Sequence, residues 1–558
     1  MEHTIVQPAQ QAATNSVGGI DIGVIIFYIV GIIALGCWAG LRQRKGESSA
    51  NDYFLAGGNL GWPMIGMALF ATNISTVHLV SLAETGYTEG LLFGNFEWMA
   101  AFTLILLAIF FAPFYIRAKI TTLPDFLEKR YNRSCRDWLA FISVISAITI
   151  HIAFALYTGA VVLKGMFGFS IVWSIIAVAV LTGFYTTVGG LMAVVLTETI
   201  QTIILLLGAL AVTYFCWDKV GGWNEMVAAV RPEQLSMLRP HGDASNYPWY
   251  SFFLGYPVLG IWYWCADQTI VQRVLGAKDE NNARVGALFA GFIKILPVFL
   301  FILPGLMFYA IIQKGILPES IMPRKMVDGK DMIDTGQTYA IMIKELLPVG
   351  IKGLVAAALL SALMSTVSGA LNSISTLVSY DLYKRFKPHS SDQHLVTIGR
   401  WACVVAIILS IILSANYDRL GSIMDGLNTM IGYIAAPITA VFVLGIFWRK
   451  ASSTAALACL SVGAIVGMVL LICKIINIDV FGTIPPLMIS FYLFVAYMVL
   501  MAIVSFIYPH QHTQESEKLY WKTPYEALQG EAWSGLGNYK VLSCLLLGMM
   551  AILYTTFR

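Results

Sequence analysis

Five side chains that can bond an ion or a hydroxyl crowd into seven positions of the stretch Ala68–His78: Thr72, Asn73, Ser75, Thr76 and His78. They fall on every face of a helix, inside a run apolar enough to cross a bilayer. Polar groups persist in hydrocarbon where they face protein, a cavity or a bound ion. A helix that is polar all round its middle loses regular hydrogen bonding there and offers free carbonyls and hydroxyls to a ligand. The competing reading is local: the hydroxyls bond back onto their own helix and Asn73 joins two helices. A second polar run holds Ser361, Ser365, Thr366 and Ser368, with Asn372 and Ser373 after it. Adjacent Ser365 and Thr366, together with carbonyls, could replace the oxygen shell of a small hard cation. Neutral oxygens suit a monovalent ion such as Na⁺, whereas Ca²⁺ draws carboxylates. Here too, back-bonding within the helix is the alternative.

Two ionisable residues stand inside apolar stretches: Glu97 in Gly94-Asn95-Phe96-Glu97-Trp98, and Lys294 in Gly291-Phe292-Ile293-Lys294-Ile295-Leu296-Pro297. A charge at the bilayer centre costs about 2.5–3.5 kcal/mol on insertion scales, so each needs a reason. One reason is an internal ion pair, or a lysine reaching for the surface. The other is a polar ligand, with the carboxylate accepting and the ammonium donating three ways. A sugar hydroxyl donates and accepts, so it satisfies both. Arginine is missing from the interior of every expected span, which tilts away from a carboxylate ligand held by a bidentate guanidinium. Trp262-Tyr263-Trp264 offers ring faces for an apolar sugar face to stack on.

The elements that must position these residues are membrane spans. The 558-residue chain is 58% hydrophobic and only 12% charged, where soluble domains carry about 25%. It reads as an all-α polytopic membrane protein, embedded in a lipid bilayer. A net charge of +3 gives no case for nucleic acid. About fourteen stretches approach the 20 residues a span needs. Basic residues gather in alternate loops: Arg42 to Lys45, Arg117 to Arg136, Arg273 to Arg284, Lys384 to Arg400, and Arg449-Lys450. The positive-inside rule then places the N-terminus outside. The polar start, Glu2 to Asn15, has no basic flank and does not read as a cleaved signal. The eight cysteines are scattered without metal spacing and read as small core residues. His510 and His512 fall in a polar loop and read as water-facing. No nucleophile–base pair or metal cluster stands out, so no enzyme is expected.

The seventh span, Phe253 to Trp264, carries Gly255, Pro257 and Gly260, and these predict a second broken helix. Five spans separate it from the first, so the two start on opposite sides. That is the trace of a five-plus-five inverted repeat with two broken helices. The expected organisation is residues 1–59 as tail and leading span, 60–217 as repeat one, 218–247 as an outer loop, 248–447 as repeat two, and 448–558 as trailing spans.

Several landmarks then resemble one family: Asp52-Tyr53-Phe54-Leu55-Ala56-Gly57, Thr122-Leu123-Pro124-Asp125-Phe126-Leu127-Glu128-Lys129-Arg130, Gly189-Gly190-Leu191 with Thr197-Glu198-Thr199-Ile200-Gln201, Asp267-Gln268 with Gln272-Arg273, and Ile446-Phe447-Trp448-Arg449-Lys450. Together they are similar to the sodium:solute symporters, and within them to the sodium/glucose cotransporters. The resemblance implies a Na⁺ site at Ala71, Ile74 and Ala362 through carbonyls and at Ser365 and Thr366 through hydroxyls. It implies a sugar site at Asn73, His78, Glu97, Tyr263, Trp264, Lys294 and Asn428. Tyr263 would be the inner gate, with Phe96 and Met424 lining the outer side. Departures from the family pattern are Asn428 for Gln, Gly260 for a polar residue, Thr366 for Ser, and Glu198 for an Asp near the sodium path.

The expected function is Na⁺-coupled uptake, by alternating access, of a neutral monosaccharide such as glucose or galactose, or of a polyol, across the inner or plasma membrane. The alternatives are a symporter for myo-inositol, sialic acid, an amino acid or a vitamin acid, or a channel or sensor that binds solute without coupled transport.

Overall fold

The computed structural model describes residues 18–43, 49–327, 330–476 and 478–558; the side chains at 43, 77, 327, 330 and 418–431 lie outside that description. The polar N-terminal stretch read above as no signal peptide is therefore outside the described residues. The helices that bear on the site are α1 (Gly19–Gln43), α2 (Trp62–Asn73), α3 (Thr76–Thr88), α4 (Gly94–Leu106), α5 (Arg133–Ser146), α6 (Ile171–Val220), α7 (Trp249–Ile261), α8 (Gln268–Leu275), α9 (Glu280–Ile293), α10 (Ile351–Thr376) and α11 (Tyr417–Phe447). The trailing helices are Ser453–Ile475, Pro486–Ile507 and Tyr539–Thr556. Strand is confined, among the described residues, to an antiparallel hairpin, β1 (Arg324–Val327) with β2 (Lys330–Ile333), Arg324 opposite Ile333.

Both broken helices are present. α2 and α3 meet at a 65° bend, with Ile74 and Ser75 extended at ψ 106° and 170°. Ser75 starts α3, and its N–H donates to His78 Nδ1 at 3.2 Å while its Oγ lies 2.9 Å from the same nitrogen. A side chain three residues on thus satisfies backbone that a helix start leaves unpaired. The second break is not where Gly255 and Pro257 predict it. α7 runs through Pro257 without interruption and passes into a π-helical stretch, Trp262–Ala266. The chain breaks at Asp267 (ψ 123°), which caps α8 by accepting from Thr269 N–H at 2.7 Å. A proline inside a helix removes one hydrogen bond, and α7 tolerates it. The signal that mattered was a capping Asp ahead of an amphipathic segment.

Ten helices are long and apolar enough to cross a membrane among the described residues, or eleven if the bent pair is one span. The chain is a multi-pass membrane protein, and two of the fourteen expected spans share one element. The fifth and sixth form α6, whose 50 residues are interrupted at Gly190 (φ 63°, ψ −159°). A straight helix of that length would reach about 75 Å, more than twice the hydrocarbon thickness. Gly190 reverses it: Gly40 of α1 lies against Gly189, while Tyr28, about three turns earlier in α1, accepts from Gln201 Nε2 at 3.2 Å on the returning arm. Only glycine takes that positive φ without strain.

Four of the basic loops meet on one face, which we call the basic face. Arg117 pairs with Glu280 at 2.7 Å, Arg136 with Asp381 at 2.7 Å, and Arg385 with Asp137 at 2.6 Å. Fully buried Arg130 donates to the carbonyls of Gly445 (2.7 Å) and Trp448 (3.1 Å) at the C-terminal end of α11, where a cation suits the helix dipole. At the opposite face the mirror arrangement holds α10. Asp21 Oδ1 accepts from Gly350 and Gly353 N–H, each at 2.7 Å, a carboxylate at a helix N-terminus. Three arginines outside the expected spans are nonetheless fully enclosed: Arg130, Arg273 and Arg284. One expectation is corrected here. His510 and His512 do not both face water: their rings meet at 4.5 Å, and burial, with Arg130 second, pushes the half-buried His510 imidazole down to about 4.

Candidate functional site

The bend between α2 and α3 turns its last helical carbonyls toward α10. Ser365 Oγ donates to Ala71 O at 2.8 Å and to Ala362 O at 3.1 Å. Thr366 Oγ1 donates to Ala362 O at 3.0 Å and lies 3.4 Å from Thr72 O. Four of the five residues expected at the cation site are thereby brought together, and the fifth, Ile74, sits in the extended break beside them. All the donors are neutral oxygens, all are buried, and two hydroxyls come from one helix and the carbonyls from two. That set fits a monovalent hard cation and lacks the carboxylates a divalent one draws. The hydroxyls do bond back to Ala362, as the local reading holds, but Ser365 also reaches across to Ala71.

Glu198 stands one step away. Its Oε1 accepts from Thr72 Oγ1 at 2.9 Å, and Arg273 pairs with it at 2.5 Å, both side chains with no exposure. This buried pair ties α6 to α8 and α2. The arginine that holds it stands, in the sequence, among loop residues. It is neutralised there and does not line the cavity described next.

Lys294 ends α9, where the span kinks before resuming at a π-helical stretch, Val298–Ile302. Its Nζ donates to Asn73 Oδ1 at 2.6 Å and forms a close ion pair with Glu97 on α4. Asn73 Nδ2 in turn donates to the Tyr263 hydroxyl at 3.1 Å. Lys294 also lies 5.8 Å from the Trp264 ring centre. The internal ion pair expected from the sequence is present, with Asn73 and Tyr263 bonded to it. Glu97–Lys294–Asn73–Tyr263 is a chain of donors and acceptors with no net charge, joining α4, α9, α2 and the stretch after α7.

This chain borders a cavity of about 550 Å³, also lined by His78, His151, Tyr256, Trp262 and Trp264. His78 Nδ1 accepts from Ser75 N–H, so the imidazole carries its proton on Nε2 and is a donor. On the side away from the basic face, Phe96 stacks with Phe93 (5.9 Å) and packs on Phe252 (5.3 Å). Gly260 is part of the wall. A Cβ there would meet Thr103 Cγ2 at 2.7 Å and Tyr256 at 2.8 Å, so glycine lets α4 and α7 approach. Asn428 and Met424 lie outside the described side chains.

Several lining residues were not singled out from the sequence. Ser81, Leu82 and Thr85 continue the face of α3 that begins at His78; the spacing of three and four was legible. His151, a lone imidazole in an apolar span, also lines the cavity, and its type alone should have marked it.

The family model described as "Sodium:solute symporter family" matches residues 53–463. The chain is similar to "Sodium/glucose cotransporter 4" of Danio rerio, 31% identical over 497 residues, covering 84% of this chain and 74% of that one. It is similar to "Sodium/glucose cotransporter" of Vibrio parahaemolyticus, 35% identical over 464 residues, covering 81% and 83%. Among solved structures it resembles the substrate-bound outward-open state of a Na⁺-coupled sialic acid symporter, with TM-score 0.75, 24% identity, and coverage of 89% of this chain and all of that one. At that identity the likeness shows the fold.

Proposed function

The chain belongs to the sodium:solute symporter family and is a sodium-coupled symporter; from that premise we propose that its cargo is a neutral monosaccharide or polyol, carried across the plasma or inner membrane by alternating access. The observation that carries this reading is the self-neutralised chain Glu97–Lys294–Asn73 beside the cavity. A ligand rich in hydroxyls can insert into it by exchanging one donor and one acceptor at a time, whereas a carboxylate would compete with Glu97 for Lys294. Aromatic faces at Trp262, Tyr263 and Trp264 favour the same class, and so do the names of the relatives.

Sodium sits among Ala71, Ile74, Ala362, Ser365 and Thr366 and fixes the angle between α2, α3 and α10. Asn73 is two residues from Ala71 on the same broken helix, so fixing the cation side presets Asn73, and through it Lys294 and Tyr263. His78, Glu97, Trp264 and Asn428 complete the solute site. Phe96 and Met424 close the outer side and Tyr263 the inner. Residues 60–217 and 248–447 form the two repeats that rock about this site, with 218–247 between them and 1–59 and 448–558 flanking them. Glu198, beside Thr72, lies on the route by which sodium leaves.

Counterflow in proteoliposomes tests the cargo. Labelled glucose, galactose, myo-inositol and sialate are offered in turn, with and without sodium. Sodium-dependent exchange of a hexose or polyol supports the reading; exchange of sialate alone overturns it.

A further inference from the structure

His151 lies in a π-helical stretch, Ala147–Phe154, that continues α5. A π turn widens a helix and recurs at functional positions. The ring lines the central cavity, yet its Nε2 is turned to Asp267 Oδ2 at 3.3 Å, both side chains about a tenth exposed (10% and 8%). Asp267 is the residue at which the second broken helix breaks, and its other oxygen caps α8.

Asp267 does not line the central cavity. It lines a separate small one of about 10 Å³, with Ser143, Ser146, Trp262 and Ala266. Along the continuous helix Arg133–Phe167, Ser143 and Ser146 stand on the Arg133 side of His151, hence nearer the basic face. The His151–Asp267 contact therefore spans the partition between the solute cavity and the basic side. Tyr263 stands in the same partition, its ring centre 6.5 Å from that of His151 and its hydroxyl held by Asn73. Two polar contacts close the floor side by side. One joins α2 to the stretch Trp262–Ala266, and the other joins the widened continuation of α5 to the break beyond it.

We propose that His151 is a positioning residue of the inner closure: its bond to Asp267 latches the Ala147–Phe154 stretch to the break of the second broken helix and keeps Tyr263 under the solute. The imidazole is presented to the cavity, so an arriving solute touches the latch itself. Draining the cavity toward the basic face requires the latch to part. This inference rests on the alternating-access reading given above.

The test uses full-length protein in proteoliposomes, carrying Ser146→Cys with Cys37, Cys473 and Cys544 changed to serine. A membrane-impermeant maleimide is applied from the basic face. His151→Ala raises the labelling rate of the Ser146→Cys thiol about tenfold, the population shift that losing one such hydrogen bond produces. It also raises sodium entry in the absence of solute, which a merely structural residue leaves at the parental level. His151→Gln, which keeps a donor toward Asp267, restores both. Should His151→Ala fail to assemble, His151→Phe fills the space without a bonding nitrogen and gives the same comparison. Parental labelling and parental sodium entry in these variants, in protein that transports hexose, overturn the latch alone. A parent protein that shows no sodium-driven uptake of any of the four solutes overturns the transport reading and the latch with it.

Discussion

Lys294→Ala tests the solute site most sharply. Lys294 donates to Asn73 Oδ1 at 2.6 Å and pairs with Glu97, and the acceptors it serves are nearly enclosed, with Glu97 3% and Asn73 8% exposed. Truncating one partner of a buried pair costs about 3–5 kcal/mol, mostly from the charge left behind. Water entering the 550 Å³ cavity recovers part of that. The solute loses a bond to a charged group, roughly 1.5–3 kcal/mol. At 1.36 kcal/mol per decade that is about a 10- to 150-fold rise in the half-saturating solute concentration. The assay is the initial rate of sodium-driven hexose uptake against hexose concentration, read beside the sodium-induced change in tryptophan fluorescence, which should persist. A double variant, Lys294→Met with Glu97→Gln, removes both charges at similar volume. It should recover assembly and thermal stability but not uptake. If uptake returns with stability, or if Lys294→Ala transports normally, the pair is structural and the solute site lies elsewhere.

Three further predictions follow from the same geometry. Ser365→Ala removes the hydroxyl that bridges Ala71 and Ala362 and should raise the sodium concentration for half-maximal uptake about five- to tenfold, one hydrogen bond's worth; Thr366→Ser, which keeps the oxygen, should leave the sodium curve near parental. Gly260→Ala places a Cβ 2.7 Å from Thr103 Cγ2 and should cost about 1–3 kcal/mol by overpacking, seen as a lower thermal midpoint. Asn73→Ala frees the Tyr263 hydroxyl from its donor and should both weaken hexose binding and raise inner-side reactivity of the Ser146→Cys thiol; a change in neither would separate Asn73 from gate and cargo alike.

The first broken helix was legible because Thr72, Asn73, Ser75, Thr76 and His78, so close together in hydrocarbon, favoured a break over back-bonding alone. Glu97 and Lys294 were legible for the same reason, the cost of charge in lipid, although the sequence left ion pair and ligand site as alternatives; the fold shows the ion pair, at the edge of a cavity. The second break was misplaced. Gly255 and Pro257 are stronger local signals than Asp267, but helix packing absorbs them, and the cap at Asp267 decides. Arg273 was read as a loop residue because α8 is short and amphipathic; only the fold brings its guanidinium to Glu198. The reversal at Gly190 was legible as the Gly189-Gly190 pair between the fifth and sixth expected spans, and α1 packs along both arms. His151 was passed over in an apolar span, where a single imidazole carries no periodicity to expose it.

The most direct measurement is the affinity of the purified protein for a hexose, by calorimetry, in sodium and in choline buffer, together with its sodium affinity with and without the hexose. Because the cation carbonyl of Ala71 and the solute-side Asn73 share one helix end, sodium should tighten hexose binding at least tenfold, and by linkage the hexose should tighten sodium by the same factor. Ser365→Ala should shift both effects to about five- to tenfold higher sodium. Equal hexose affinity in sodium and choline would contradict a shared broken helix as the coupling element.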